Sequence, residues 1–137
     1  MKLLMIYSDK FSYTPKIKNL EEYETVNEGS SFNDCLVAFI HAEEKDENED
    51  FNSFEKKMVK NIKWAAGKNN TKRVILHSFA HLSDSKASPE FTKKLFDKAE
   101  ERLKNADYEV YQTPFGYFLD LDMKAPGFSL ARIFKSL

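Results

Sequence analysis

Val74-Ile75-Leu76-His77-Ser78-Phe79-Ala80-His81-Leu82-Ser83 reads as a buried strand that runs straight into a loop carrying a histidine. A second point of the same kind follows at Thr113-Pro114-Phe115-Gly116-Tyr117-Phe118. Two strand ends that bring together Gly, Pro, His and aromatic side chains are the usual material of a small-substrate pocket.

Outward from that stretch the chain alternates between strands and helices. Lys2 to Ser8 and Cys35 to Ala42 are short apolar runs with the length of buried strands, and Arg73 to Phe79 is a third. The polar segment from Asp9 to Asn33 permits an edge strand or hairpin at Tyr23, Thr25 and Asn27. Phe51 to Lys68 is predicted as a helix, because Phe51, Phe54, Met58, Ile62 and Ala65 recur at helical spacing. Asn52 with Glu55 suits its start and Gly67 its stop, with Trp64 at the edge of the apolar face. Ser88-Pro89-Glu90 opens a second helix, whose face runs through Phe91, Leu95, Ala99 and Leu103 to about Asn105. Tyr108 to Tyr111 and Tyr117 to Met123 read as further strands, and Pro126-Gly127 as a turn. Ser129 to Leu137 is expected to begin a helix or lead into a following domain. The order implies an α/β fold, a mixed β-sheet with two main helices packed on it, as a single domain over 1–137.

Composition narrows the function. The 137 residues suit one domain, and the formal net charge of -1 gives the chain as a whole no electrostatic footprint for nucleic acid. An RNA contact would need a local patch or another domain. The single cysteine, Cys35, excludes an internal disulfide and a Cys-rich zinc site. The three histidines lack the spacing of a metal motif, so neither metal nor cofactor is expected in this domain. The Met1–Ser8 run is too short for a signal peptide, so none is expected, and no apolar run approaches the ~20 residues of a membrane span. A cytoplasmic, reducing compartment is the expectation. The acidic run Glu43 to Asp50 reads as a solvated connector.

His81 leads the candidates for chemistry: an imidazole on that loop can orient or polarise a substrate near neutral pH, or can hold the loop through a backbone hydrogen bond. His77, mid-strand, suits a structural role, and His41 ends the second strand where it could face the same pocket. Ser8 and Asp9 either line the pocket or cap a turn. No phosphate-binding glycine loop and no nucleophile elbow is present.

Several segments carry a resemblance. Leu3-Leu4-Met5-Ile6-Tyr7-Ser8-Asp9, Leu36-Val37-Ala38-Phe39-Ile40 with the acidic stretch after it, Phe79-Ala80-His81-Leu82-Ser83, Thr113-Pro114-Phe115-Gly116-Tyr117, and the trailing Gly127 and Leu130-Ala131 resemble, in order and separation, the N-terminal editing domain of archaeal-type threonyl-tRNA synthetases. The resemblance implies a D-aminoacyl-tRNA deacylase-like fold. It implies hydrolysis of mischarged L-seryl-tRNA(Thr) at the 3'-terminal adenosine, as part of a threonine-tRNA ligase, with the ribose hydroxyl and an ordered water taking part. Carried onto this chain, backbone at Ala80 and Phe115, with Gly116 and Tyr117, would hold substrate. His41, Ala42 and Glu43 would line the adenosine side, and His81 would be the site histidine. The implied partners are the 3' end of tRNA(Thr), the catalytic and anticodon-binding parts of the synthetase in cis or in trans, and a second copy in a homodimer. The domain would be the N-terminal part of a longer synthetase or a stand-alone homologue.

The pattern is broken at four positions. Phe118 and Leu119 stand where the family has Tyr and Lys, Arg132 where it has Glu, and Tyr7 where it has His. A missing lysine removes a cation that could stabilise developing negative charge, an effect of ~3 kcal/mol for a good contact. Lys124 is about 17 Å further along a strand and cannot simply take its place. Three readings follow: an editing hydrolase, a catalytically degenerate member that keeps a tRNA-end or docking role, and an unrelated small-molecule binding domain.

Overall fold

Apolar residues at six consecutive positions, Cys35 to Ile40, require a strand buried on both faces. The computed structural model, which describes every residue from Met1 to Leu137, places them in the middle of a six-stranded sheet. The elements run β1 (Lys2–Lys18), β2 (Ser30–His41), α1 (Phe51–Lys68), β3 (Arg73–Ser78), α2 (Pro89–Asn105), β4 (Glu109–Gln112), β5 (Tyr117–Lys124) and β6 (Arg132–Ser136). The strand order is β4-β3-β2-β1-β5, with β6 also paired to β1. β2, β3 and β4 are parallel neighbours, which is possible because α1 and α2 serve as the crossovers. β1 pairs antiparallel with β2, β5 and β6. This is the mixed sheet with two helices expected from the sequence.

The two faces of β2 divide the core. Leu36, Ala38 and Ile40 join Met58, Ile62, Leu95, Ala99 and Leu103 of the helices in the larger cluster. Cys35, Val37 and Phe39 point the other way and pack with Phe11 and Ile75. Burial pushes the Cys35 thiol up to about 12, so it is an inert apolar group.

Local reading of the sequence needs five corrections. β1 does not stop at Ser8-Asp9 but continues to Lys18, its far half paired with β5, and Tyr23, Thr25 and Asn27 form no strand. Ser129 to Leu137 forms a 3-10 turn and then β6, not a helix, because Ile133 has a place in the core beside β1. Asp50 rather than Asn52 caps α1, by accepting from the Ser53 N–H. Glu55 is instead fully buried, with both carboxylate oxygens 2.9 Å from Arg102 Nε on α2. Gly67 does not stop α1: Asn69 ends it, and Asn70 takes the left-handed conformation (φ 51°).

The fifth correction concerns the acidic connector. Glu44–Asn48 is a 3-10 turn, and Glu43 and Asp46 are buried beside the α-amino group of Met1, at 2.8 and 2.9 Å. The hydrogen bond from that ammonium, helped by Ser83 and opposed by burial, holds the Glu43 carboxyl down at about 2, below its ordinary 4.5. A depressed carboxyl contributes stability above its unfolded pKa that is lost as pH falls through the folded one. Unfolding free energy is therefore expected to fall from pH 4.5 towards 2, measured by urea titration at each pH. Glu43→Gln should be less stable at neutral pH and should flatten that acid slope. An unchanged slope would show that the ammonium does not hold Glu43.

Candidate functional site

The parallel strands β2 and β3 end side by side, and the chain leaves each of them through a loop. Such carboxyl ends are where α/β sheets keep their ligand crevices. Here they open into a cavity of about 430 Å³. Its floor and one wall are Ile40 to Ala42 and His77 to His81, and the start of α2 contributes Pro89 and Thr92. Pro114 to Leu119 and Leu121 close the opposite side.

The structure thus brings together most of the residues expected from the sequence. Ala80, His81, His41, Ala42, Phe115, Gly116 and Tyr117 all line the cavity, as do the substituted positions Phe118 and Leu119. Glu43 does not: its carboxylate is spent on Met1 and on Ser83 Oγ (2.7 Å). Tyr7 and Arg132 also lie outside the lining. The Tyr7 hydroxyl donates to Asp34, which raises its pKa to about 12, and Arg132 donates to the Pro126 carbonyl at 2.7 Å. Ser8 is buried within β1 and is not part of the cavity.

The three imidazoles are in different states. His81 is exposed, lies edge-on to Phe79 (4.9 Å) and makes no hydrogen bond within the chain. His77 is held through Nδ1 by Thr113 Oγ1 (2.9 Å), and burial lowers its pKa to about 4, so it is neutral at pH 7. It is structural on that side and a cavity wall on the other. His41 does not offer a free ring nitrogen. Its Nδ1 accepts from the Leu82 N–H (2.9 Å) and its Nε2–H donates to the Ser85 carbonyl (2.6 Å). It is the clasp of the loop after His81. Ala42 and Glu44 hold the same loop at Ala87 and Ser85.

Other contributors were invisible in the sequence. Lys86, on the clasped loop, is the one Lys or Arg that lines the cavity, and no Asp or Glu lines it. The segment after β1 wraps on the Phe115–Tyr117 turn: Asn19 and Leu20 N–H groups donate to the Gly116 carbonyl at 2.6 and 3.1 Å, Tyr23 packs edge-on to Phe115 (4.8 Å), and Val26 N–H donates to the Tyr117 hydroxyl. Backbone N–H groups of Ala80, His81 and Phe115 find no acceptor inside the chain and remain for water or a ligand. No three His, Cys, Asp or Glu side chains converge as a metal would require.

Gly116 is required by the backbone. Its φ is +81°, and a Cβ there would sit 2.8 Å from Leu20 Cβ. Gly116→Ala is expected to cost about 1–3 kcal/mol, read from chemical denaturation, and to push Leu20 out of the wall. A neutral result would mean that this turn does not need the positive φ.

Comparison with known proteins gives the site its setting. A solved chain described as "c-Myc DNA Unwinding Element Binding Protein" superposes with a TM-score of 0.73 over 100% of this chain and 99% of its own, at 13% identity, which is likeness of fold. The D-aminoacyl-tRNA deacylase-like architecture expected from the sequence stands. Threonine–tRNA ligases of Thermococcus kodakarensis and Methanopyrus kandleri are 31% and 32% identical to it over 140 and 139 residues. The match takes in 100% of this chain and 22% of each ligase, so the chain spans about a fifth of their length. The family described as the archaea-specific editing domain of threonyl-tRNA synthetase matches residues 1–137 from end to end, and the chain belongs to that family.

Proposed function

We propose that this cavity receives the 3'-terminal adenosine of tRNA(Thr) bearing a misattached L-serine and hydrolyses the ester between them. Threonine exceeds serine by one methyl group, and a synthetic site rejects the smaller substrate by only about 1–3 kcal/mol. A second, hydrolytic site makes up the difference. The observation that carries the reading is the make-up of the cavity: apolar walls of suitable size for an aminoacylated nucleoside, a single ammonium from Lys86, one exposed imidazole from His81 and no carboxylate.

The free N–H groups of Ala80, His81 and Phe115 hold the substrate, and His81 orients the attacking water or the neighbouring ribose hydroxyl. The water oxygen bonds to the ester carbonyl carbon. The bond from that carbon to the ribose oxygen then breaks, one proton of the water passes to the ribose oxygen and the other to solvent, and serine leaves as its carboxylate. Negative charge develops on the carbonyl oxygen, and Lys86 is the cation within the cavity that can meet it. No cofactor of this domain takes part. Aminoacylation and most tRNA affinity belong to catalytic and anticodon-binding parts elsewhere, in cis or in trans, and a homodimer is part of the same reading.

Family membership removes the reading as an unrelated small-molecule domain. The degenerate reading survives on one observation: Phe118 and Leu119, which line the cavity, have side chains with no polar atom. Calorimetric binding of a 3'-seryl-amide analogue of adenosine tests the shared premise. Saturable binding that is weakened by Gly116→Ala supports the pocket, and absence of binding removes the editing reading and leaves the degenerate one with a docking role alone.

A further inference from the structure

The near-zero net charge conceals a segregation. Lys56 to Ser83 contains seven of the 21 Lys and Arg residues and none of the 22 Asp and Glu residues. Five of the seven, Lys56, Lys57, Lys60, Lys63 and Lys68, lie on α1. At 100° per residue they occupy an arc of roughly 140°, and they span about 18 Å along the helix. Four are exposed and Lys63 is half-buried, and none of the five is in an ion pair.

A solvated helix in this same protein looks different. On α2, Lys93 pairs with Asp97, Lys98 with Glu101, Lys104 with Glu100, and Arg102 with Glu55 across the helix interface. On α1, Lys56, Lys57, Lys60 and Lys63 face one another at spacings of three and four residues, and such like-charge pairs destabilise a helix by about 0.2–0.5 kcal/mol each. The same face carries Trp64, 45% exposed, with the ammonium groups of Lys68 and Lys135 at 5.7 and 5.6 Å from its ring. It also carries Gly67, where an added Cβ would touch nothing, so packing does not call for glycine. Apart from the two ammonium groups over Trp64, nothing in the fold offsets the repulsion among these lysines.

The placement relates this face to the cavity. Phe51, the first residue of α1, packs edge-on to Phe91 of α2 (6.0 Å), and Pro89 and Thr92 beside Phe91 line the cavity. A polyanion with its end in the cavity can therefore run past Lys56 and along α1. We infer that the outward face of α1 docks the sugar–phosphate backbone of the RNA whose 3' end enters the cavity. This rests on the proposed tRNA substrate. The surface supplies the local patch that the whole-chain charge conceals, and its affinity is electrostatic and salt-dependent.

The test is fluorescence anisotropy of this chain with labelled tRNA(Thr), from about 50 to 200 mM salt. Lys56→Gln/Lys60→Gln/Lys63→Gln is compared with a control of equal charge loss, Lys93→Gln/Lys94→Gln/Lys98→Gln. The α1 variant should bind about tenfold or more weakly at low salt, with the slope of log affinity against log salt reduced by about one per lysine removed. The control should be close to the natural chain. Equal losses in both variants, no loss in either, or loss of binding to anionic vesicles with tRNA binding intact would each overturn the inference. Hydrolysis of 3'-seryl adenosine, too short to reach α1, separates this from the site itself. Its absence with the α1 effect intact removes the editing reading alone, and its presence without the α1 effect removes the docking surface alone.

Discussion

Lys86→Met is expected to slow single-turnover hydrolysis of the seryl ester about 100-fold while leaving binding of a seryl-amide analogue nearly unchanged. The expectation comes from the charge inventory of the cavity. Leu119 contributes no cation, Lys86 is the one ammonium in the lining, and no carboxylate is present to act in its place. Charge appears on the ester oxygen only as water adds, so an ammonium that meets it lowers the barrier without tightening the ground state. Lys86 is exposed, so methionine keeps most of the length of the side chain and leaves the fold intact. Equal loss of rate and analogue affinity would instead make Lys86 a holder of the neighbouring phosphate. An unchanged rate would remove it from the chemistry. The loop that carries it is held by His41, whose Nδ1 accepts from the Leu82 N–H.

Arg102→Met is expected to remove about 3–5 kcal/mol of stability. Glu55 is fully buried between α1 and α2, and Arg102 Nε serves both of its oxygens. Without the guanidinium the carboxylate is left in an apolar interior with no partner, which costs far more than the pair itself contributed. The reverse change is milder, because Arg102 keeps an edge in solvent at 30% side-chain exposure and can turn outward. The double variant Glu55→Leu/Arg102→Met should recover most of the loss, since a packed apolar pair replaces the ion pair at little cost. Guanidinium melts of the three proteins check this. A loss below about 1 kcal/mol for Arg102→Met would mean that water reaches Glu55 and that the helices are less closely packed.

The parts of the fold legible in the sequence were those with a strong local signature. The unbroken Cys35–Ile40 run, the spacing of Phe54, Met58, Ile62 and Ala65, and the Ser88-Pro89 start each determine one element by short-range physics. What escaped was decided by distant partners. Asp9 to Lys18 alternates weakly and becomes strand because the start of β2 pairs with its first part and β5, about a hundred residues later, with nearly all of it. Arg132–Ser136 is a strand because β1 offers it an edge. Asp46 looks like one solvated acid among many until the Met1 ammonium lies 2.9 Å away.

The site divides in the same way. Ala80-His81 and Phe115-Gly116 were found because each follows a strand end. His41 lines the cavity as expected, and its second task as clasp of the loop is not legible locally, since its partners Leu82 and Ser85 lie about forty residues away. Lys86 carries no motif at all. The basic face of α1 could have been found from the carboxylate-free run beginning at Lys56, but the zero-sum charge of the chain hid it.

The measurement closest to the central claim is single-turnover deacylation of seryl-tRNA(Thr) beside threonyl-tRNA(Thr) by this chain. Selective loss of serine, reduced in Lys86→Met, is the predicted result. Serine and threonine esters both decaying at the rate in buffer would contradict it, and would leave a domain that keeps the cavity without the hydrolysis.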